Sequence, residues 1–88
     1  MGLFETSISF VARSERRKQI LFLLNESSLS QPEIMKKTQM YKSHNSRTIN
    51  EIVDKKLVSC INPEDREFKF YKITSLGRKV VEYLKKLC

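Results

Sequence analysis

The sequence predicts a small α+β domain in which short helices are followed by a β-hairpin and a final helix. Three observations support this prediction: capping signals open several short helices, the apolar spacing changes from helical to alternating, and Gly and Pro are scarce, with 2 of each. A chain of 88 residues forms one domain, 1–88. Such a domain buries roughly 60–65% of the surface that its unfolded chain exposes, so a deep internal active-site cavity is not expected.

The composition favours a folded domain with a polyanionic partner. Hydrophobic residues make up 40% of the chain, which is enough for one compact core. The 17 Lys and Arg against 10 Asp and Glu give a formal net charge of +7, which favours nucleic acid or an anionic membrane surface. The longest strongly apolar run, residues 20–24, is far too short to span a membrane, and the start of the chain lacks the pattern of a leader. We therefore expect a cytoplasmic protein without a membrane partner.

The two cysteines, Cys60 and Cys88, do not follow a metal-binding pattern. Neither belongs to a Cys-x-x-Cys pair, and neither has a ligand spacing from the single histidine, His44. We expect Cys60 to be a small buried hydrophobe and Cys88 a free thiol, with an intermolecular bridge through Cys88 as the alternative. The sequence predicts no metal and no cofactor.

The first part of the chain predicts two helices. Residues 1–12 are an N-terminal docking segment whose apolar residues fit a helix face but also alternate as in a strand, and we favour a short helix. Ser14 can cap the next helix, in which Ile20, Leu21 and Leu24 are the inward apolar positions.

Two further helices separated by a short connection predict a helix-turn-helix. The first covers residues 31–38 and opens with an S-x-x-E capping box formed by Ser30 and Glu33. Ser43 can cap the second helix, which covers about residues 43–54. The inward stripe of that helix is Asn45, Ile49, Ile52 and Val53.

The apolar pattern then changes to alternation and predicts a two-stranded hairpin. Its strands are residues 57–61 and 68–73, with turn chemistry between them. Thr74 or Ser75 can cap a last helix over residues 75–87. The apolar stripe of this helix is Leu76, Val80, Tyr83, Leu84 and Leu87.

The segment YKITSLGRKVVEYL, at residues 71–84, resembles the winged helix-turn-helix regulators of the ArsR/MarR type, especially their short archaeal members. The family pattern of an aromatic, a hydrophobe, Thr, Gly and a basic residue is matched by Tyr71, Ile73, Thr74, Gly77 and Arg78. SERRKQIL, from Ser14, and SHNSRTINEIVDKKLV, from Ser43, are similar to the first helix and to the recognition helix with its following strand. The resemblance covers nearly the whole chain from about residue 8, and it implies a three-helix core, a two-stranded wing and a C-terminal helix.

Two departures from the family pattern affect what the resemblance implies. The family often has Gly where the recognition helix ends, and this chain has Lys56. A left-handed residue there would be strained for Lys, so we expect the helix to end with a different geometry. The metal-sensing subgroup carries paired cysteines, and residues 31–38 contain none, so metal-dependent derepression is not expected.

A helix that lies in the major groove of DNA needs hydrogen-bonding side chains on the face opposite its core stripe. With Ile49 at the centre of the buried face, a step of about 100° per residue turns Arg47 almost directly outward. Ser43, His44 and Asn50 flank Arg47, and these four residues form the predicted recognition face. Arg and Asn make bidentate contacts with guanine and adenine, while Ser and His contact bases or phosphates.

Further DNA contacts are predicted for the polar and basic residues around the recognition face: Lys42, Ser46, Lys36 or Lys37, and Arg16 or Arg17. The hairpin adds Arg66, Lys69 and Lys72. Acids at the hairpin tip would repel phosphate, so the hairpin contacts are expected to be weaker: Glu64, Asp65 and Glu67. The alternative is a solvated helix face on which Ser43 and Ser46 serve only as caps.

These features predict a regulator that binds specific sequences of double-stranded DNA as a homodimer, and no enzyme activity is expected because His44 lacks catalytic partners. The last helix and the N-terminal segment are the predicted dimer interface, through Phe4, Ile8, Val81, Tyr83 and Leu87. The alternative function is a winged-helix module for protein interactions within a transcription or replication assembly, suggested by the acidic tip and by Phe68 and Phe70 on one strand face. Non-specific DNA binding is a third option.

Overall fold

The computed structural model of the chain describes residues 3–66 and 68–87, and for Leu3 it describes only the backbone. In chain order the elements are α1 (Leu3–Ala12), α2 (Glu15–Glu26), β1 (Leu29–Ser30), α3 (Gln31–Thr38), α4 (Lys42–Asp54), β2 (Val58–Cys60), β3 (Phe70–Ile73) and α5 (Ser75–Lys86). This order confirms the predicted winged helix-turn-helix architecture, including a short N-terminal helix. Cys88 and Glu67 lie outside the described residues, so the predictions for the Cys88 thiol and for the Glu67 charge stay predictions.

Local capping chemistry begins α2 and α3 where the sequence predicted. The Ser14 hydroxyl accepts a hydrogen bond from the Arg17 backbone N–H at 3.4 Å. At the start of α3, the Ser30 hydroxyl accepts from the Glu33 backbone N–H, and the Ser30 backbone N–H donates to the Glu33 carboxylate at 3.0 Å. This donation to the carboxylate is the main reason that the pKa of Glu33 lies below its usual value. Both predicted caps are confirmed.

The helices and the sheet enclose one apolar core. The predicted inward positions of α2 and α4 are buried except for Val53, which is half-buried, and Ile20, Leu21 and Ile52 are 0% exposed. In α5 the buried stripe consists of Gly77, Val80, Val81 and Leu84. The prediction that Val81 faces a partner is therefore wrong because its side chain is 0% exposed within the core. Tyr83 and Leu87, which the sequence placed on one apolar stripe with Val80 and Leu84, are 42% and 66% exposed.

The wing belongs to a three-stranded antiparallel sheet in the order β1-β3-β2. Leu29 of β1 pairs with Tyr71, and Val58 of β2 pairs with Ile73. The sequence predicted only the two hairpin strands, because two residues of β1 are too few for an alternating pattern and Ser30 already served as a helix cap. The short third strand places β3 in the middle of the sheet.

Helix α4 starts one residue before the predicted cap. Tyr41 is the N-cap residue, with an extended backbone at φ −63° and ψ 152°, and its side chain makes no capping hydrogen bond. Ser43 lies inside the first turn, so the prediction that Ser43 caps this helix is wrong. A helical backbone at Ser43 removes it from the cap position, since a cap residue needs non-helical dihedral angles.

Helix α4 ends at Asp54 and is followed by a left-handed residue, Lys56, with φ 65°. The Leu57 N–H donates to the Ile52 carbonyl and the Lys56 N–H donates to the Val53 carbonyl, each at 3.0 Å. These two bonds form a Schellman-type ending that places Leu57 in the core. The prediction that Lys56 would avoid the left-handed geometry is wrong, because these bonds and the burial of Leu57 offset a conformational cost of roughly 1–2 kcal/mol.

The corner formed by Lys56 and Leu57 also anchors the start of α5. The Thr74 hydroxyl accepts a hydrogen bond from the Gly77 N–H at 3.1 Å and lies within donating distance of the carbonyls of Lys56 and Leu57, at 2.7 and 3.0 Å. A Cβ at Gly77 would clash with the Leu57 carbonyl oxygen and lie 2.6 Å from Cγ1 of Ile73. Of the two predicted caps Thr74 is therefore the one used, and Gly77 permits close approach of α5 to the end of α4.

Candidate nucleic-acid interface

The predicted recognition face lies on the outward side of α4. Ser43, Arg47 and Asn50 are exposed, and His44 is half-buried at the edge of this face. The His44 ring lies beside the Tyr41 ring, with 6.2 Å between the ring centroids. The structure thus places three of the four predicted residues on one open surface and holds the fourth against an aromatic neighbour.

The inward side of α4 contains a polar residue that makes no polar contact. Asn45 is 0% exposed, and among the described residues neither its side-chain nitrogen nor its side-chain oxygen has a hydrogen-bond partner. Thr48 is also buried, but its hydroxyl donates to the His44 carbonyl at 2.8 Å. The inward position predicted for Asn45 is confirmed, and Thr48 completes the buried stripe beside Ile49 and Ile52.

The charges and caps of α4 favour an anion at its first turn. In the described part of the chain, no side chain caps the backbone amides that begin this helix. Lys42 lies in the first turn, whereas Glu51 and Asp54 lie near the opposite end. This arrangement is the reverse of the one that stabilises the helix dipole, which prefers acids at the start and cations at the end. Free amides and a nearby cation are the features that bind phosphate at helix N-termini.

Tyr41 is a candidate site residue that the sequence patterns did not indicate. Its side chain is 80% exposed, the largest such value among the exposed large hydrophobic residues of the described chain. The ring stands directly before the recognition face, at the N-cap of α4. The available signal was an aromatic residue next to a polar helix start, without an apolar partner at helical spacing.

Ser46 is half-buried and joins α4 to α3. Its hydroxyl accepts a hydrogen bond from the side-chain amide of Gln31 at 2.8 Å. This bond holds the two helices of the helix-turn-helix together at the point where α3 begins. Ser46 therefore has a positioning role in the structure, which the sequence could not indicate because its partner comes from another helix.

A polar pocket of about 160 Å³ lies between α4 and the wing, and it brings four predicted residues together: Ser46, Asn50, Arg66 and Lys69. Gln31 and Tyr71 complete the lining. Lys69 directly precedes β3, and its carbonyl accepts a hydrogen bond from the Gln31 N–H at 3.0 Å, whereas the Tyr71 side chain of β3 is buried. Burial raises the pKa of the Tyr71 hydroxyl, and the nearby Cys60 adds to the shift. The pocket therefore combines two cationic side chains with neutral polar groups.

Two predicted cations lie outside this pocket. Lys72 is exposed and shares the outer strand face with Phe70, opposite to Tyr71. Lys37 is exposed in the last turn of α3. The structure therefore does not bring Lys37 or Lys72 together with the residues of the pocket.

The tip of the wing is organised by Asn62. Its side-chain nitrogen donates to the Phe68 carbonyl at 2.8 Å, and its side-chain oxygen accepts from the Phe70 N–H at 2.7 Å. The Asp65 carboxylate accepts from the Phe68 N–H at 2.9 Å, so this acid holds the loop in shape. Three large apolar side chains are exposed on the wing: Ile61, Phe68 and Phe70, at 55%, 57% and 40%.

Arg17, one of the two alternatives for a phosphate contact on α2, makes hydrogen bonds within the protein. Its guanidinium donates to the Phe10 carbonyl at 2.8 Å and to the Glu51 carboxylate at 3.2 Å. The neighbouring Arg16 is exposed and keeps the role of a candidate phosphate contact. Within residues 3–66 and 68–87, the His, Cys, Asp and Glu side chains form no group of three or more that could hold a metal ion. The helices in these ranges are also too short or too polar to cross a membrane.

The fold is similar to several solved bacterial structures. A MarR cysteine mutant from E. coli complexed with operator DNA superposes with a TM-score of 0.76 at 20% identity, covering 97% of this chain and 62% of that chain. The MepR–DNA complex from S. aureus gives a TM-score of 0.73 at 23% identity, covering 84% of this chain and 63% of that chain. HlyU from Vibrio cholerae gives a TM-score of 0.74 at 23% identity and covers 94% of both chains.

This chain covers 56% of the adhesin competence repressor from Streptococcus pyogenes, another similar structure, and therefore spans less than two thirds of several of these proteins. No protein-family model matches the sequence, and no curated protein matches it. The similarity to short archaeal members stays a prediction. The three superpositions, each below 25% identity, show that the chain has the winged helix-turn-helix fold of MarR-like regulators.

Proposed function

We propose that this protein is a transcription regulator that binds specific sequences of double-stranded DNA with α4 in the major groove. The carrying observation is the first half of α4, where exposed Ser43, Arg47 and Asn50 follow an uncapped helix start. Two of the fold's solved relatives are complexes with DNA, which supports the same partner class for this chain. No catalytic step is part of this proposal.

Base recognition is assigned to the outermost side chains of α4. Arg47 carries the guanidinium fork that pairs with guanine, and Asn50 carries the amide that pairs with adenine. Ser43 and half-buried His44 lie nearer the helix start, where hydrogen bonds to bases or to phosphate oxygens are both within their chemistry. These four residues supply sequence discrimination, which we expect to be worth roughly 1–3 kcal/mol for each good bidentate pair.

Phosphate binding is assigned to the surroundings of that face. Lys42 and the free amides at the start of α4 form one position, and the ring of Tyr41 flanks it. Arg66 and Lys69 form a second position, at the polar pocket between α4 and the wing. Lys37 and Lys72 are peripheral in this arrangement. The net charge of +7 supports a polyanionic partner of this kind.

The test selects bound duplexes from a random pool and measures affinity for the selected sequence across a range of salt concentrations. We expect Arg47→Ala to weaken binding about tenfold to hundredfold, because one bidentate base contact is lost. Arg78→Ala removes the same charge from an exposed position on α5 and serves as the matched control. The proposal fails if the wild-type chain binds no duplex at low salt, or if Arg47→Ala binds as tightly as the wild type. Equal affinity for unrelated duplexes would instead indicate non-specific binding.

We also infer a homodimer whose interface contains α1 and α5. Phe4 of α1 packs edge-to-face on Tyr83 of α5, with 5.9 Å between the ring centroids. Tyr83 remains partly exposed, and Leu87 of the same region is also exposed. A two-fold dimer would match the paired half-sites of duplex operators. Light scattering in reductant should give twice the mass of one 10.4 kDa chain. A mass of one chain would remove the dimer from the proposal.

The second candidate function is a module for protein interactions. The observation in its favour is the exposed apolar set of the wing: Ile61, Phe68 and Phe70. Replacement of Phe68 and Phe70 by Ser separates the two functions. A protein-interaction role predicts unchanged duplex affinity and loss of partners that resist nuclease treatment. Lower duplex affinity with no such partners would count against it.

A further inference from the structure

We propose that Arg17 is a positioning residue that couples the orientation of α4 to the docking of α1. The inference rests on the proposed DNA-binding function, and it concerns residues outside the recognition face. Arg17 lies on α2, yet its guanidinium reaches both neighbours: one nitrogen donates to the Phe10 carbonyl of α1 at 2.8 Å, and Nε donates to the Glu51 carboxylate of α4 at 3.2 Å. The Arg17 side chain therefore makes hydrogen bonds to both α1 and α4.

The ring of Phe10 adds a second link between the same helices. The Arg17 guanidinium lies 3.8 Å from the Phe10 ring centroid, and the Lys55 ammonium lies 5.3 Å from it. Lys55 is the C-cap residue of α4. Cations from α2 and from the end of α4 thus both contact one aromatic ring of α1, within the range where cation–π attraction operates.

Partial burial makes this junction a defined contact. The side chains of Arg17 and Glu51 are 20% and 37% exposed, so solvent screens this ion pair less than it screens a fully exposed one. The planar guanidinium can donate in two directions while it stacks on a ring, a combination that a Lys ammonium lacks. The geometry therefore depends on Arg at this position and on more than its charge.

The junction lies close to the proposed recognition face. Glu51 follows Arg47 by four residues, which is about one helical turn, and Lys55 follows Glu51 by another. At its other end α1 packs on α5 through Phe4 and Tyr83, the contact that we assign to the dimer interface. A displacement of α1 would therefore shift the attachment points of α4 and change the direction of Arg47.

For the removal of the Glu51 charge, electrostatics alone predicts a change in DNA affinity opposite to the one that positioning predicts. Removing an acid from a helix that binds DNA raises affinity when only charge matters, because less repulsion remains between protein and phosphates. If Glu51 positions the helix through Arg17, its removal lowers affinity despite the gain in net positive charge. The sign of the change in duplex affinity therefore distinguishes a positioning role of Glu51 from a purely electrostatic one.

The experiment measures duplex affinity over a salt series for two matched pairs of variants. Glu51→Gln is compared with Asp54→Asn, which removes an exposed acid from the same helix. We expect Glu51→Gln to bind about fivefold to tenfold more weakly, the loss typical of one hydrogen bond, and Asp54→Asn to bind as tightly as the wild type or more tightly. Affinity of Glu51→Gln equal to or above the wild-type value would overturn the proposal.

Arg17→Gln is compared in the same series with Arg16→Gln, its exposed neighbour. Loss of a phosphate contact reduces the slope of log affinity against log salt by about 0.9. Positioning predicts weaker binding by Arg17→Gln with an unchanged slope, and Arg17→Lys fails to restore affinity. A reduced slope for Arg17→Gln, or full rescue by Lys, would overturn the proposal.

A measurement without DNA keeps this inference separate from the proposed function. Absence of duplex binding by the wild-type chain would refute the DNA-binding proposal, and amide chemical shifts of residues 43–50 would then decide the positioning claim. We expect Arg17→Gln to move those shifts while Arg16→Gln leaves them in place. Shifts that change only around residue 17 would overturn the coupling.

Discussion

Helices α4 and α5 have nearly the same length, 13 and 12 residues, but they are stabilised in different ways. Helix α5 begins at Thr74, whose hydroxyl contacts three backbone groups, and it ends with Lys85 and Lys86, the charge that a helix C-terminus prefers. At the start of α4 no side chain among the described residues forms a cap, and left-handed Lys56 follows two residues after its end at Asp54. Its local chemistry is less favourable at both ends.

The buried faces of the two helices show the same difference as their ends, since the buried face of α4 is the less favourable one. The buried residues of α5 are apolar, whereas α4 buries Asn45 beside Ile49 and Ile52, and the Asn45 amide has no hydrogen-bond partner among the described residues. An orphaned buried polar group costs about 1–3 kcal/mol. Tertiary packing therefore holds α4, and its own sequence contributes less than that of α5. Departures from local rules concentrate at functional sites in folded proteins, which agrees with the role that we propose for α4.

The largest effect is expected at the start of α5. Gly77→Ala should destabilise the fold by about 2–3 kcal/mol, because the added methyl group meets a backbone carbonyl that cannot move aside. Urea unfolding measures the change, and Lys79→Ala, at an exposed site on α5, is the control. Helix propensity alone would make the Gly77→Ala variant more stable by up to about 1 kcal/mol, and that result would contradict the close approach described for this corner.

A stabilising change is expected inside α4. Asn45→Leu should raise the free energy of unfolding by about 1–2 kcal/mol, since an apolar side chain of similar shape removes the unpaired amide. The smaller Asn45→Ala removes the amide without adding volume and should be close to neutral. Equal destabilisation of both variants in urea would indicate that the Asn45 amide has a stabilising partner.

The smallest effect is expected at the start of α4. Tyr41→Ser supplies a capping hydroxyl and should stabilise the fold by about 0.5–1 kcal/mol relative to Tyr41→Ala, which removes the ring but adds no cap. Thermal unfolding of these two variants compares them directly. Their duplex affinities extend the comparison, since a cap that occupies the first-turn amides should weaken binding by Ser relative to Ala. Equal affinities would argue against a phosphate at these amides.

Local chemistry was the part of the fold that the sequence predicted best. The hydroxyls of Ser14, Ser30 and Thr74 each accept a hydrogen bond from the backbone N–H three residues later, so short motifs contain the capping bond. Strand β1 depends on its pairing with distant β3, and the left-handed Lys56 is favoured by the burial of Leu57 in the core, so neither could be predicted from local patterns. Long-range pairing and tertiary packing account for these differences.

The same distinction applies to the candidate site. Helical geometry alone placed Arg47 and Asn50 outward, and the structure exposes both. The roles of Arg17 and Ser46 depend on Glu51 and Gln31, which other helices supply, so no spacing rule could assign them. Exposure can be predicted from helical periodicity, whereas a contact between helices requires their packing.

The central place of β3 in the sheet has a consequence for biosynthesis. Leu29 of β1 pairs with Tyr71, about forty residues later in the chain, and α1 packs against α5. During translation α3 and α4 leave the ribosome before the strand and the helix that complete their surroundings. Distant contacts of this kind form late in folding because the intervening chain must first be ordered. A nascent chain from which only the residues before Phe70 have emerged would thus display the whole of α4 while its sheet could not yet form.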